Sequence, residues 1–121
     1  MMKKDDLKER TFQFSLLIID LVDLLPKKKA TDVIAYQLIK SGTSVGANYR
    51  AAKRARSDKE FIAKINIVLE EIDESLFWLE IIEKKNWIGV EIIGKALKEA
   101  DELTAIFTTT LKTMNRRSGN F

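Results

Sequence analysis

Four stretches of the chain repeat apolar residues at the period of an α-helix, and this pattern constrains the fold more than any other feature. They cover residues 5–25, 31–55, 58–85 and 89–117, and none of them alternates like a strand. The predicted core stripes are Leu7, Phe14, Ile18, Leu21 and Leu25; Leu38, Gly42, Val45, Tyr49 and Ala52; Phe61, Ile65, Val68, Ile72, Leu76 and Leu79; and Ile93, Leu97, Ala100, Leu103, Phe107, Leu111 and Met114. Because the connections are short, neighbouring helices should be antiparallel. The sequence therefore predicts a single all-α domain over residues 1–121, an up-down-up-down four-helix bundle.

Two glycines four residues apart stand in the segment SGTSVGANYRAAKRARSDKEF, residues 41–61. A phosphate-binding loop would need a lysine after the second glycine and a strand before the first, and the sequence has neither. Each glycine costs about 1 kcal/mol of helix propensity relative to alanine, so close packing against another helix is the better explanation. Further along, Ser57 and Glu60 have the spacing of a capping box that begins the third helix.

The composition excludes the catalytic chemistry that depends on cysteine or histidine. The chain has no cysteine and no histidine, which rules out disulfides, thiolate zinc sites, a Ser-His-Asp triad and a Glu-x-x-His di-iron site. The carboxylates of residues 70–74 lie on one helix without facing ligands, so a solvated face is the expected role. We expect no catalytic residues, no metal, no cofactor and no enzymatic activity. The chain has no long apolar run and no signal region, so we expect a cytoplasmic protein with no membrane partner.

Charge is distributed unevenly along the chain. Residues 27–59 contain nine basic and two acidic side chains, whereas residues 60–103 contain eleven acidic and five basic ones. A basic stripe on the outer side of the second helix could follow a phosphate backbone of RNA or DNA; the alternative is an ordinary solvated helix face. The candidate nucleic-acid-binding residues are Lys40, Arg50, Lys53, Arg54, Arg56 and Lys59.

Large apolar residues also recur opposite the predicted core stripes of the first and third helices. Repeated apolar residues on an outer face indicate an interface more often than scattered exposure, which is normal only singly. We therefore expect a homo-oligomer in which rim charges set the orientation. The candidate interface residues are Phe12, Leu16, Ile19, Ile67, Glu71, Glu74, Trp78 and Ile81.

The segment over residues 41–82 resembles the signature of the bacterial four helix bundle proteins, which are related to proteins encoded by intervening sequences within 23S rRNA genes. The matching motifs are Ser-Gly-Thr-Ser-Val-Gly-Ala-Asn at 41–48, Ser57 to Phe61, Lys64 to Ile67, and Trp78-Leu79. The chain departs from the family at 49–54, where Tyr-Arg-Ala-Ala-Lys-Arg replaces a commonly acidic stretch.

This resemblance implies a left-handed up-down bundle without established enzymatic activity and, in known relatives, a ring-shaped pentamer. A similar bundle occurs in accessory proteins of diversity-generating retroelements, which bind nucleic acid. Two function classes remain open. One is a non-catalytic oligomer that binds nucleic acid or ribosomal RNA, and the other is a structural or protein-interaction module with no nucleic-acid partner.

Overall fold

The computed structural model describes residues 6–118, which form four α-helices and no strand. These are α1 (Asp6–Val22), α2 (Lys29–Lys53), α3 (Asp58–Lys84) and α4 (Val90–Ser118). Helix α1 packs against α2 and α4, and α3 packs against the same two helices, so the four form a bundle. The predicted all-α four-helix fold is confirmed, and each helix is within three residues of its predicted limits.

The first connection explains the largest difference from the predicted limits. Helix α1 ends at Val22, whereas its apolar pattern continues to Leu25. The backbone amides of Leu24 and Leu25 donate to carbonyls three residues back, so the chain tightens before Pro26. The Thr31 hydroxyl then donates to the carbonyls of Pro26 and Lys28, and it accepts from the amide of Lys28, which fixes the start of α2.

Local hydrogen bonds also define both ends of α3. At its start, the Ser57 hydroxyl accepts from the backbone N–H of Glu60 at 3.1 Å, which is the serine half of the predicted capping box. At its end, Asn86 has a positive φ of 54°, and the amides of Asn86 and Trp87 bond back to the carbonyls of Glu83 and Ile82. This Schellman-type end satisfies the last carbonyls of α3 and turns Trp87 onto the core.

Buried positions recur at steps of three, four or seven residues, the spacing typical of helical bundles. In α3 they are Ile65, Val68, Ile72, Ser75, Leu79 and Ile82, and in α4 they are Ile93, Ala96, Ala100, Leu103, Phe107 and Met114. The rings of Tyr49 and Phe107 meet across the core with centroids 5.6 Å apart. The buried Ser75 hydroxyl donates to the Ser41 hydroxyl at 2.8 Å, which joins α2 to α3.

Helices α1 and α2 approach each other closely at the two glycines of residues 41–61. A Cβ placed on Gly42 would lie 2.9 Å from Cγ1 of Ile18, and one on Gly46 would lie 3.4 Å from the carbonyl oxygen of Thr11. The Ser15 hydroxyl donates to the Gly42 carbonyl at 3.1 Å. The later glycine therefore faces the earlier α1 residue, so the two helices are antiparallel, as predicted from the short connection.

Candidate nucleic-acid interface and apolar groove

The antiparallel arrangement gathers basic side chains at one end of the bundle, where α1 and α3 begin and α2 and α4 end. Contact between Arg117 near the end of α4 and Asp58 at the start of α3, with nitrogen and oxygen 3.6 Å apart, places these two segments together. We call this the basic end. Its basic residues are Lys8, Arg50, Lys53, Arg54, Arg56, Lys59, Lys112, Arg116 and Arg117, and its acidic residues are Asp6, Glu9, Asp58 and Glu60. Among the described residues of this end, basic side chains therefore outnumber acidic ones by nine to four.

Two neighbouring depressions lie in the basic end. The first has a volume of about 370 Å³ and is lined by Lys8, Arg50, Lys53 and Arg54. Arg50 and Lys53 of α2 and the C-cap residue Arg54 lie on one side because Lys53 and Arg54 follow Arg50 by three and four positions. The guanidinium of Arg50 lies over the Phe12 ring, 5.4 Å from its centroid, and Arg54 Nε donates to the Arg50 carbonyl at 3.5 Å. These contacts restrain two cations at the rim of one cavity.

The second depression, of about 390 Å³, lies where α2, α3 and α4 meet. Lys53 lines it as it lines the first, and Arg56 and Arg117 add two further positive charges beside Asp58. Its apolar floor comes from Phe61 and Met114, together with small residues of the connection. The two depressions therefore adjoin through Lys53 and form a continuous basic surface.

The structure brings together four of the six predicted nucleic-acid-binding residues, namely Arg50, Lys53, Arg54 and Arg56. Lys59 is exposed in the first turn of α3, at the same end but outside the lining of both depressions. Lys40 precedes Arg50 by ten residues of helix, about 15 Å along the axis. The positive charge of Lys40 acts instead on the Glu71 carboxyl of α3. It lowers the pKa of that carboxyl, whereas burial and the neighbouring carboxylates raise it.

Sequence reasoning missed Lys8 and Arg117, which come from the helices flanking α2 and α3. Neither belongs to a basic run near Arg50, so local charge patterning could not select them. The antiparallel topology offered a usable signal, because it places the first turn of α1 and the last turn of α4 beside the end of α2. The same topology places Lys112 and Arg116, near the end of α4, at this end of the bundle.

An apolar groove lies on the outer surface between α1 and α2, next to the first basic depression. Phe12, Leu16 and Ile19 line one side and are 42%, 38% and 39% exposed. The other side consists of the small residues Thr43, Gly46 and Ala47, with Arg50 at its end and Ser15 at its base. We call this the α1/α2 groove; its volume is about 250 Å³. All three predicted α1 interface residues therefore lie on one accessible surface.

The predicted interface residues of α3 are less accessible than those of α1. Ile67, Trp78 and Ile81 are half-buried, and Trp78 packs against the core with its indole N–H buried and without an acceptor among residues 6–118. The neighbouring Phe77 is 55% exposed and lies edge-on to the Trp78 ring, with centroids 5.0 Å apart. Sequence reasoning missed Phe77, although its position three residues after the exposed Glu74 indicated the outer face.

The acidic surface of α3 perturbs one predicted interface residue. Partial burial raises the pKa of the Glu71 carboxyl, the nearby charges of Glu74 and Glu70 raise it further, and Lys40 opposes them. Glu71 is half-buried and Glu74 is exposed. Within residues 6–118 no three Asp or Glu side chains are arranged to hold a metal ion.

An ion-pair network fastens α1 to α4 at the level of Arg10. Its guanidinium donates to both carboxylate oxygens of Glu99, at 2.8 and 2.9 Å, and to Glu102 at 2.6 Å. Hydrogen bonding and the charge of Glu99 raise the pKa of Arg10 above its ordinary value, although partial burial opposes this. Because this fork is paired within the chain, Arg10 serves the fold and is not part of the basic end.

The fold and its surfaces define a class of small four-helix bundle with one basic end and an apolar outer groove. The family model described as 23S rRNA-intervening sequence protein matches residues 3–109. The chain belongs to that family, as its motifs over 41–82 indicated.

A solved structure supports the same assignment. It is the crystal structure of a protein of unknown function from the S23 ribosomal protein family of Bacteroides thetaiotaomicron. The two chains are 31% identical with a TM-score of 0.80, and the match covers 87% of this chain and 97% of the other. A search of curated proteins found no significant match. Among residues 6–118, no helix combines the length and apolar content that crossing a membrane requires.

Proposed function

We propose that this protein is a non-catalytic helical bundle that binds nucleic acid through its basic end, with ribosomal RNA as the first candidate because the family takes its name from sequences within 23S rRNA. The observation that carries the proposal is the convergence of cations from α1, from the end of α2 and the connection after it, and from α4 on two adjoining depressions. Phosphate groups bind such clusters through charge-assisted hydrogen bonds and counterion release.

A structural explanation accounts for only part of this cluster. Arg50 and Lys53 lie in the last turn of α2, and cations there offset the helix dipole by about 0.3–1 kcal/mol each. Lys8 and Lys59 lie in the first turns of α1 and α3, where the dipole disfavours positive charge. Their placement toward the same end therefore favours a bound polyanion over dipole compensation alone.

The test is an anisotropy titration of labelled RNA and DNA at several salt concentrations. Nucleic-acid binding should weaken steeply with salt, and the double change Arg50→Ala with Arg54→Ala should reduce the salt slope by about two. The matched control is Lys84→Ala with Lys85→Ala, which removes the same charge from two exposed lysines at the opposite end. Equal weakening by both doubles would mean that net charge acts rather than this surface. Binding that ignores salt, or that survives loss of Lys40, Arg50, Lys53 and Arg54 together, would contradict the proposal.

Self-association is the second candidate function, as a structural or protein-interaction module. The observation that favours it is the α1/α2 groove, where three large apolar side chains lie side by side on the surface. We propose a homo-oligomer, and the resemblance to known relatives makes a pentamer the expected subunit number. Sedimentation equilibrium over a range of protein concentrations measures this directly, and a constant monomer mass up to tens of micromolar would contradict it.

A further inference from the structure

We infer that the α1/α2 groove receives the Phe77 side chain of a second copy of this chain, in a head-to-tail contact. This inference rests on the proposed self-association and specifies which surfaces meet. It replaces the half-buried Trp78 with its exposed neighbour as the aromatic residue that docks. Three features of the described residues carry it: the shape of the groove, the position of Phe77 and the charges around each.

The groove has the size and lining that an aromatic ring requires. Its volume is about 250 Å³, and a cavity of about 150 Å³ is enough to hold benzene. Phe12, Leu16 and Ile19 provide apolar contact on one side, whereas Gly46 and Ala47 leave room on the other. The groove is open to solvent, so a side chain can enter it without displacing any part of the bundle.

Phe77 is positioned to act as the docking residue. It is 55% exposed, whereas most large apolar residues of α3 are buried or half-buried. Its edge-on contact with Trp78, which packs on the core, holds the ring on the outer face of α3. A side chain restrained before binding loses less conformational freedom when it docks, and buried aromatic residues are frequent hot spots of interfaces.

The charges around the two surfaces are complementary. Among the described residues that line the groove, Arg50 alone is charged. Phe77 is flanked one helical turn away by the exposed carboxylates of Asp73, Glu74 and Glu80, which outnumber Lys84 and Lys85 of the depression that Phe77 lines. When Phe77 of one copy enters the groove of another, these carboxylates approach Arg50. Such pairs favour the correct orientation and speed association more than they add affinity.

The contact is heterologous because the groove lies beside α1, whereas Phe77 lies on the outer face of α3, which packs against α2 and α4 and is diagonally opposite α1. Each copy therefore offers one groove and one Phe77, and successive copies form a closed ring or an open filament. A change to either surface alone removes only one half of the contact. Complementary variants can restore a single contact, which provides a test of whether these two surfaces meet.

Sedimentation and far-ultraviolet circular dichroism of two variants and their mixture make that test. Phe77→Ser removes the docking side chain, and Ala47→Glu places a charged group in the groove and repels the carboxylates beside Phe77. Each variant alone should associate roughly tenfold or more weakly than the unchanged protein, while remaining helical. An equimolar mixture should form a dimer, since Phe77 of the Ala47→Glu chain can enter the intact groove of the Phe77→Ser chain. The control Val90→Ser changes an exposed apolar residue of α4, which contributes to neither surface, and should leave association unchanged.

The possible outcomes separate this inference from the proposals on which it rests. If Phe77→Ser assembles like the unchanged protein, or if the mixture stays monomeric, the docking of Phe77 is wrong while self-association stands. If the unchanged protein is a monomer at tens of micromolar, self-association and this docking are both wrong. Nucleic-acid binding does not require Phe77. At protein concentrations at which both proteins are monomers, the salt dependence of nucleic-acid affinity should therefore be the same for Phe77→Ser and for the unchanged protein.

Discussion

Alanine substitution at three helical glycines separates close packing from helix propensity, and the structure predicts a different result at each. Replacing glycine with alanine inside a helix gains about 1 kcal/mol when the added methyl group meets nothing. That applies to Gly94 of α4, where a Cβ would have no neighbour within 4 Å. We therefore expect Gly94→Ala to raise the free energy of unfolding by up to about 1 kcal/mol.

Gly42→Ala should have the opposite effect. The new methyl group would lie 2.9, 3.0 and 3.2 Å from three side-chain atoms of Ile18, closer than real contacts allow. Ile18 is fully buried, so it cannot move aside freely. Overpacking of this kind costs about 1–3 kcal/mol, and the propensity gain of about 1 kcal/mol leaves a net loss of up to about 2 kcal/mol. At Gly46 the nearest atom, the Thr11 carbonyl oxygen, is 3.4 Å away, so Gly46→Ala should be neutral or slightly stabilising.

Urea unfolding followed by far-ultraviolet circular dichroism measures the series, with all proteins at one concentration because association would add to apparent stability. The slope against urea should be unchanged, since the same surface is exposed on unfolding. A double-mutant cycle with Ile18→Ala gives a second measurement. Ile18→Ala alone should cost about 2–5 kcal/mol, and the added methyl of Gly42→Ala should be tolerated better in that background. Equal stability changes at the three glycines, or no coupling in the cycle, would refute the packing argument.

Four further changes test local features by the same unfolding measurement. Ser57→Ala should lower stability by about 0.5–2 kcal/mol because the Glu60 amide loses its acceptor, and no loss would mean that the cap is dispensable. Arg10→Met should lower stability by about 1–2 kcal/mol because both hydrogen bonds to the Glu99 carboxylate are lost. Arg10→Lys keeps the charge but not the paired hydrogen bonds, so its loss should be smaller. Equal losses would mean that the paired geometry does not matter. Asn86→Gly should stabilise the end of α3 relative to Asn86→Ala by about 1 kcal/mol, because alanine is strained at positive φ, and a more stable alanine variant would contradict this. Glu71→Gln should be stabilising at pH 7, because the raised pKa of Glu71 means that its ionised form is disfavoured in the folded state. This gain in stability should shrink as the pH falls and the Glu71 carboxyl of the unchanged protein becomes protonated. A gain that does not vary with pH would contradict the explanation.

The helices could be predicted from the sequence because each buries a regular stripe, and the period of a helix is fixed by backbone geometry. The position of Trp78 shows where this reasoning ends. The buried stripe of α3 includes Ser75, a small polar residue whose hydroxyl is satisfied by Ser41 and by the Glu71 carbonyl. An apolar pattern does not pick out a serine, so Ser75 was left out of the predicted core stripe of α3. The predicted stripe was therefore narrower than the observed one, and Trp78, at the edge of the observed stripe, was assigned to the outer face.

The composition of the basic end could be predicted only in part, for a different reason. Arg50, Lys53 and the C-cap residue Arg54 lie within five positions at the end of α2, so local spacing places them on one face. Lys8 and Arg117 lie beside them only because of how far α1 and α4 extend along the bundle axis relative to α2. These positions along the axis depend on where each helix begins and ends and on how far α4 extends beyond the first turn of α1. A helical period carries no information on either quantity.

Arg50 connects the two proposed functions, because its guanidinium lies over Phe12 at the end of the α1/α2 groove and also lines the first basic depression. A second copy seated in the groove would cover this side chain, and a phosphate group bound in the depression would neutralise it. The two events therefore compete for one cation, and by linkage each lowers the affinity of the other by the same factor. Arg50→Lys separates the contributions, since lysine keeps the charge that phosphate needs but loses the planar group that stacks on Phe12. Because the charge at position 50 adds more to orientation than to affinity, Arg50→Lys should largely retain nucleic-acid affinity and weaken self-association only slightly. Addition of RNA should still shift the oligomer toward monomer in sedimentation, and loss of that shift would contradict competition for this charge.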